Sequence, residues 1–155
     1  MNAKTKDKAT IVVNRKARFE FATEAEYEAG LVLLGWEVKS LRAAKVNLSD
    51  AHVIIKHGEA VLLGMELAPL PEASKHTLPD PTRTRKLLLH KKELATLIGQ
   101  VERKGYTIVP LSLYWKKNRV KVKIALAKGK KTHDKRETEK KRDWQRAQSR
   151  MLKNK

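Results

Sequence analysis

Along this chain apolar positions recur in short alternating runs more often than in helical periods. Ile11, Val12 and Val13 follow a polar leader and predict a first strand ending at Asn14. In NRKARFEF, Phe19 and Phe21 alternate with Arg18, Glu20 and Ala22, a strand period. The stretch after Thr23 reads two ways. TEAEYEAG offers an N-cap with Glu at N3 and a helix-favouring composition, whereas Tyr27, Leu31 and Leu33 continue a strand.

Gly35 to Lys45 predicts a short helix, with Trp36, Val38, Leu41 and Ala44 at mixed two- and three-residue steps, and Asn47 to Asp50 a polar break. AHVIIKHGEAVLLGMEL reads as a hairpin turning at His57-Gly58. Four prolines punctuate a loop from Ala68 to Pro81. Thr82 to Lys104 then predicts the longest helix, with Leu87, Leu94, Leu97, Ile98 and Val101 on one face and Gly105 as its stop. Leu88 and Leu89 project roughly 120–140° from that face. They imply either a first turn buried on several sides, or an apolar patch beside Arg83, Arg85 and Lys86 for a charged, flat ligand.

Tyr106 to Ala127 predicts a second hairpin with its turn at Lys117-Asn118. Val120, Val122 and Ile124 alternate with Lys121, Lys123 and Ala125, so one face is core and the other cationic. Pro110 demands an edge position or a bulge. Five or six strands with one long helix between two hairpins suit a small antiparallel barrel of OB type.

Charge changes the picture most: 155 residues carry +18. Met1 to Arg18 has six basic residues against one acidic, and the segment from Lys128 has twelve against four. Basic ends point to a polyanionic partner, nucleic acid before membrane. The terminal segment cannot form its own core. On a helix, however, Trp144, Ala147 and Met151 fall in one narrow apolar stripe, which either marks a segment ordered by an anionic surface or is incidental to a solvated tail. The chain has no cysteine, which removes disulfides and thiolate metal sites. It has no apolar run long enough to span a membrane and no signal-type leader, so a cytoplasmic protein is expected.

Enzymatic motifs fail in turn. The five histidines lack metal-ligand spacing, the GKKT at Gly129 lacks the upstream glycine of a phosphate loop, and no carboxylate pair stands out as acid and base. His133-Asp134 leaves a nuclease as one rival reading. What remains are the parts of an RNA binder, cations for phosphates and aromatics for bases: Arg15, Lys16, Arg18, Lys39, Arg42, Arg83, Arg85, Lys86, Lys121, Lys123 and the tail. A structural ribosomal protein and a nonspecific single-strand binder share that composition.

NRKARFEF, YEAGLVLLGWEVKSLRAAKVNLSDAHV, DPTRTRKLLLHKKEL, GYTIVPLSLYWKKNRVKVKIALAKGKKTHDKR and KKRDWQR together resemble the small protein B family, the SsrA-binding (tmRNA-binding) proteins of bacterial trans-translation. The likeness runs from about Thr10 to Lys153. It implies an OB-like antiparallel barrel with about three helices over 10–127, after a leader of 1–9 and before a basic tail of 128–155 that is disordered when free and helical on the ribosome. It also turns Glu24 to Leu33 towards strand. Its implied partners are the tRNA-like domain of tmRNA and stalled ribosomes. The protein would be a monomer when free, with no cofactor, no metal and no active site.

The family's RNA-contact positions fall here on Asn14, Arg15, Ala17, Arg18, Glu28, Arg83, Thr84, Arg85, Lys86 and Leu88. A carboxylate among them is expected to accept hydrogen bonds from a base amino group. The implied ribosome-binding tail comprises Lys128, Gly129, Lys130, Lys131, His133, Asp134, Lys135, Arg136, Trp144 and Met151, with His133 stacking on a decoding base.

Overall fold

The computed structural model describes residues 8–71, 79–129 and 142–148. The first strand, β1 (Lys8–Val13), forms as its β-branched run predicts. The next six residues depart from the expected strand: Arg15–Glu20 is a helix, α1. Asn14 caps it by accepting from the Ala17 N–H at 3.1 Å. Only Ala17 of α1 is buried, and six residues are too few to print a helical period on the sequence.

Strand β2 (Phe21–Leu31) follows directly, so the contested stretch is extended despite its helix-favouring composition. Ala25, Tyr27, Ala29 and Leu31 pack on the core while Glu24, Glu26 and Glu28 alternate with them, and burial of that stripe outweighs propensity. Helix α2 (Gly35–Arg42) matches the predicted short helix. The two-residue strands β3 (Val46–Asn47) and β6 (Glu66–Leu67) pair with each other. Between them, β4 (His52–Lys56) and β5 (Glu59–Leu63) make the expected hairpin. His57 and Gly58 have φ of 52° and 74°, which gives the turn the right-handed twist its strands need.

The predicted long helix over Thr82 to Lys104 splits in two. Arg85–Leu88 is a strand, β7, and the helix α3 is Lys91–Lys104. Burial along β7 alternates, with Arg85 and Leu87 inward and Lys86 and Leu88 outward, and the strand bridges β5 and β2. Local helix preference in KLLLHKKEL yields to that non-local ladder. Helix α3 starts where Glu93 accepts from the His90 N–H at 3.3 Å and ends on Gly105 at φ 70°. Of the predicted apolar stripe, Leu94, Leu97 and Val101 lie against the core, while Leu87 belongs to β7.

The last hairpin, β8 (Thr107–Lys116) and β9 (Arg119–Gly129), turns at Lys117-Asn118 as predicted. All main-sheet pairings are antiparallel and follow the order β1-β8-β4-β5-β7-β2-β9. Because β9 also pairs with β8, six strands close into a ring and β1 is appended outside it. The ring's six strands agree with the five or six expected, and β1 brings the main sheet to seven. Residues 142–148 form a further short helix, α4.

A bulge between Pro110 and Ser112 shifts the register of β8 against β9, as Pro110 foretold. It changes which side chains point inward. Ile108 and Leu113 both enter the barrel core, although five positions apart they would face opposite ways on a regular strand. Val109 and Leu111 go outward, where Ala17, Phe21, Ala125 and Ala127 complete a second cluster beneath α1.

Candidate nucleic-acid interface

Helix α1 covers only one end of the outer face of β8 and β9. Register defines what lies beyond it. Glu28 of β2 stands opposite Lys123 of β9, Gly30 opposite Lys121, and Gly30 on its other side opposite Leu88 of β7. A methyl group on Gly30 would lie 3.5 Å from a Leu88 methyl and 3.7 Å from the Lys121 Nζ, so three adjacent strands meet there. Leu88 is 52% exposed beside outward Lys86, whose Nζ pairs with Glu59 at 3.1 Å. A groove of about 260 Å³ runs from Leu88, Gly30 and Lys121 to Leu33, Val38 and Trp115 at the barrel's mouth.

Glu28 is anchored within this face. Tyr114 of β8 donates its hydroxyl to Glu28 Oε2 at 2.5 Å, and Lys116 Nζ lies 3.1 Å from Oε1. Partial burial pushes the Glu28 carboxyl up, but the hydrogen bonds of Tyr114 and Lys116 and the charges of Lys116 and Lys121 more than reverse it, so its pKa lies below the ordinary value. The same contact, with burial as the larger cause, pushes the Tyr114 hydroxyl up. Glu28 is therefore a fixed hydrogen-bond acceptor surrounded by cations.

The other predicted contacts divide sharply. Arg15 and Arg18 are exposed on α1, and Lys16 between them pairs with Asp50 at 2.9 Å. Asn14 is 2% exposed and Ala17 is buried, so neither presents a side chain to a ligand. Asn14 Nδ2 donates to the carbonyls of Leu48 and Pro110, each at 3.0 Å, and its backbone N–H to Leu111 at 2.7 Å. It thus pins the bulge in β8.

Arg85 is also a correction, since it is wholly buried. Its Nε lies 2.7 Å from Glu37 Oε2 and its Nη1 2.7 Å from the Met65 carbonyl. Glu37, equally buried, also takes Arg83 Nη2 at 2.6 Å and the Leu34 N–H at 2.7 Å. Burial pushes the Glu37 carboxyl up, yet the two guanidiniums and that N–H hold it below the usual range. Arg83 keeps only a partial exposed edge and also donates to the Val32 carbonyl at 3.2 Å, while Thr84 is exposed.

Of the predicted tail contacts, Lys130, Lys131, His133, Asp134, Lys135, Arg136 and Met151 lie outside the described residues. Lys128 and Gly129 end β9, with Lys128 Nζ 4.5 Å from the Tyr106 ring centre. Trp144 is 64% exposed on α4, and Arg142 at the start of that helix lies 5.5 Å from the Phe19 ring centre on α1. Among the described residues no cluster of His, Asp and Glu has the makings of a metal site.

Sequence reasoning missed Tyr114 and Lys116 as partners of Glu28. The available signal was Pro110: a bulge there flips the facing of everything after it, and Tyr114 turns outward.

A closed antiparallel barrel whose outer face carries cations, an anchored carboxylate and one exposed leucine belongs to the class of small β-barrels that bind oligonucleotides on their surface. Residues 11–154 match the SmpB protein family. The chain is 58% identical over 159 aligned positions to the SsrA-binding protein of Alkalilimnicola ehrlichii, covering 100% of this chain and 99% of that one. Against the SsrA-binding protein of Burkholderia lata the identity is 59%, over 92% and 97% of the two chains. A solved chain from work described as "tmRNA-SmpB: a journey to the center of the bacterial ribosome" superposes with a TM-score of 0.65 at 45% identity, covering 80% of this chain and 87% of that one. The chain belongs to the SmpB protein family.

Proposed function

We propose that this protein binds the tRNA-like domain of tmRNA and delivers it to stalled ribosomes for trans-translation. The observation that carries the reading is the outer barrel face: an ionised Glu28 held among Lys116, Lys121 and Lys123, next to exposed Leu88. Lysines alone attract any phosphate backbone, while a fixed acceptor and an apolar side chain discriminate among bases and shapes. Near-full-length identity to SsrA-binding proteins supports it.

Arg15 and Arg18 on α1 and Lys86 on β7 border this face and supply phosphate contacts. Asn14, Ala17 and Arg85 support it from inside. The tail, from Lys128 through Lys131, His133, Asp134, Lys135 and Arg136 to Trp144 and Met151, occupies the decoding centre and the empty mRNA channel. Its apolar stripe is completed by ribosomal RNA. The protein acts by binding, with no bond made or broken, and works in the cytoplasm.

The test is a gel-shift titration of the full chain against the tRNA-like domain of tmRNA, with an ordinary tRNA and single-stranded DNA as competitors at two salt concentrations. The tRNA-like domain should win by orders of magnitude at the higher salt. Equal competition that collapses with salt would leave a nonspecific electrostatic binder.

A further inference from the structure

We propose that Tyr114 and Lys116 are positioning residues for RNA recognition, holding the Glu28 carboxylate in one orientation so that the acceptor direction of Oε1 not taken by Lys116 receives an amino hydrogen from a base. This inference rests on the function proposed above.

The geometry carries it. Strands β2 and β8 are not neighbours here, because β9 lies between them: Glu28 pairs with Lys123, Lys123 with Ser112, and Tyr114 with Lys121. The Glu28 and Tyr114 side chains therefore meet above β9, between the stems of two lysines. Such a bridge requires Tyr114 to face outward. On an unbulged strand it would share the facing of Ile108 and enter the core. The bulge, clamped by Asn14 at the Pro110 and Leu111 carbonyls, is what presents the phenol to Glu28.

The division of acceptor sites then sets what the carboxylate does. Tyr114 takes Oε2 at 2.5 Å, and Lys116 lies between the two oxygens at 3.1 and 3.4 Å. Each carboxylate oxygen has two acceptor directions, so Oε1 keeps one open. Glu28 has a side-chain exposure of 33%, whereas Tyr114 is 4% exposed, so a ligand reaches the acid and not the phenol. An unanchored glutamate on an RNA-facing surface would rotate among rotamers and repel phosphate. Anchored and flanked by Lys116, Lys121 and Lys123, it offers an acceptor at one place, and an exocyclic amino group of cytosine, adenine or guanine is the complementary donor.

The experiment compares full-length wild type with Tyr114→Phe, Lys116→Met, Glu28→Gln and the Tyr114→Phe/Glu28→Gln double variant. Each is titrated with the tRNA-like domain of tmRNA and with a single-stranded DNA, at pH 7 and pH 5. The folded fraction of each is checked by thermal unfolding. Tyr114→Phe should lower affinity for the tRNA-like domain roughly tenfold and leave DNA binding within about twofold. The loss should be no smaller at pH 5, because Tyr114→Phe removes one of the hydrogen bonds that hold the Glu28 pKa down, while Lys116 and Lys121 still lower it. Wild type should bind equally at both pH values. Lys116→Met should give the same pattern more weakly, and the double variant should bind no worse than Glu28→Gln. Full affinity in Tyr114→Phe, equal loss for both ligands, or additive losses in the double variant would overturn the proposal. If wild type itself shows no preference for the tRNA-like domain, the function reading fails instead.

Discussion

Two glutamates in this molecule are each gripped by two donors from elsewhere in the chain, and they serve opposite ends. Glu37 is sealed inside, between Arg83 and Arg85 and the Leu34 N–H. Glu28 sits on the outer face with Tyr114 and Lys116. Both carboxyls are held below their ordinary pKa against the pull of burial. The difference lies in what remains free. The guanidinium forks and a backbone N–H occupy Glu37, so it joins α2 to β7 and offers a ligand nothing. Glu28 retains an open edge. A perturbed carboxylate is thus no guide to function until its unused acceptor directions are counted.

Removing one partner from each cluster should separate the two roles most sharply. Glu37→Ala leaves two guanidiniums at least partly buried without their counter-charge, and should cost about 3–5 kcal/mol in urea unfolding. The fraction that folds should still discriminate between RNAs. Asn14→Ala comes next. It removes the cap of α1 and the donor to two buried carbonyls, with an expected loss of about 2–3 kcal/mol and weaker specific binding through the slackened bulge. If stability falls while specificity holds, the bulge does not govern Glu28.

Acid should distinguish the pair as well. A carboxyl whose pKa is lowered on folding contributes stability that is complete above its unfolded value of about 4.3 and is lost as pH falls through the folded value. Wild type should therefore lose stability more steeply below about pH 4.5 than Glu37→Gln does, as followed by thermal unfolding across pH. Glu28→Ala should change stability by less than about 1 kcal/mol yet lower the preference for the tRNA-like domain over single-stranded DNA roughly tenfold. The smallest structural effect belongs to Leu88→Ala. An exposed side chain should leave stability within about 0.5 kcal/mol, with RNA affinity falling severalfold.

Both long hairpins were legible in the sequence because alternation and turn residues are local signals. So were α2 and the bulge at Pro110. Helix α1 was not, since its six residues carry a single buried position, Ala17. Strand β7 was misread because its identity depends on β5 and β2, whose ladders come from residues 20 or more positions away. Extension of Glu24 to Leu33 came from family likeness where composition argued for helix, and the strand ends two residues short, at Leu31. At the interface the density of cations was visible and their individual fates were not. Arg85 looked as available as Lys86, and only the distant Glu37 makes one a buried strut and the other a surface charge. Glu28 came from family resemblance, while its partners Tyr114 and Lys116 waited on the parity change that the bulge imposes.

The last pairing of the barrel has a further consequence. Phe21 lies opposite Gly129, so the chain leaves the barrel where α1 meets β2, while Lys121 and Gly30, eight residues back along β9, mark the Leu88 end of the same face. Arg142 of α4, thirteen positions on in sequence, lies against Phe19 of α1 at that same end, roughly 25 Å along the strand from Leu88. Any contact that α4 makes therefore falls at the α1 end of the barrel, apart from the Leu88 groove at the other end of the same face.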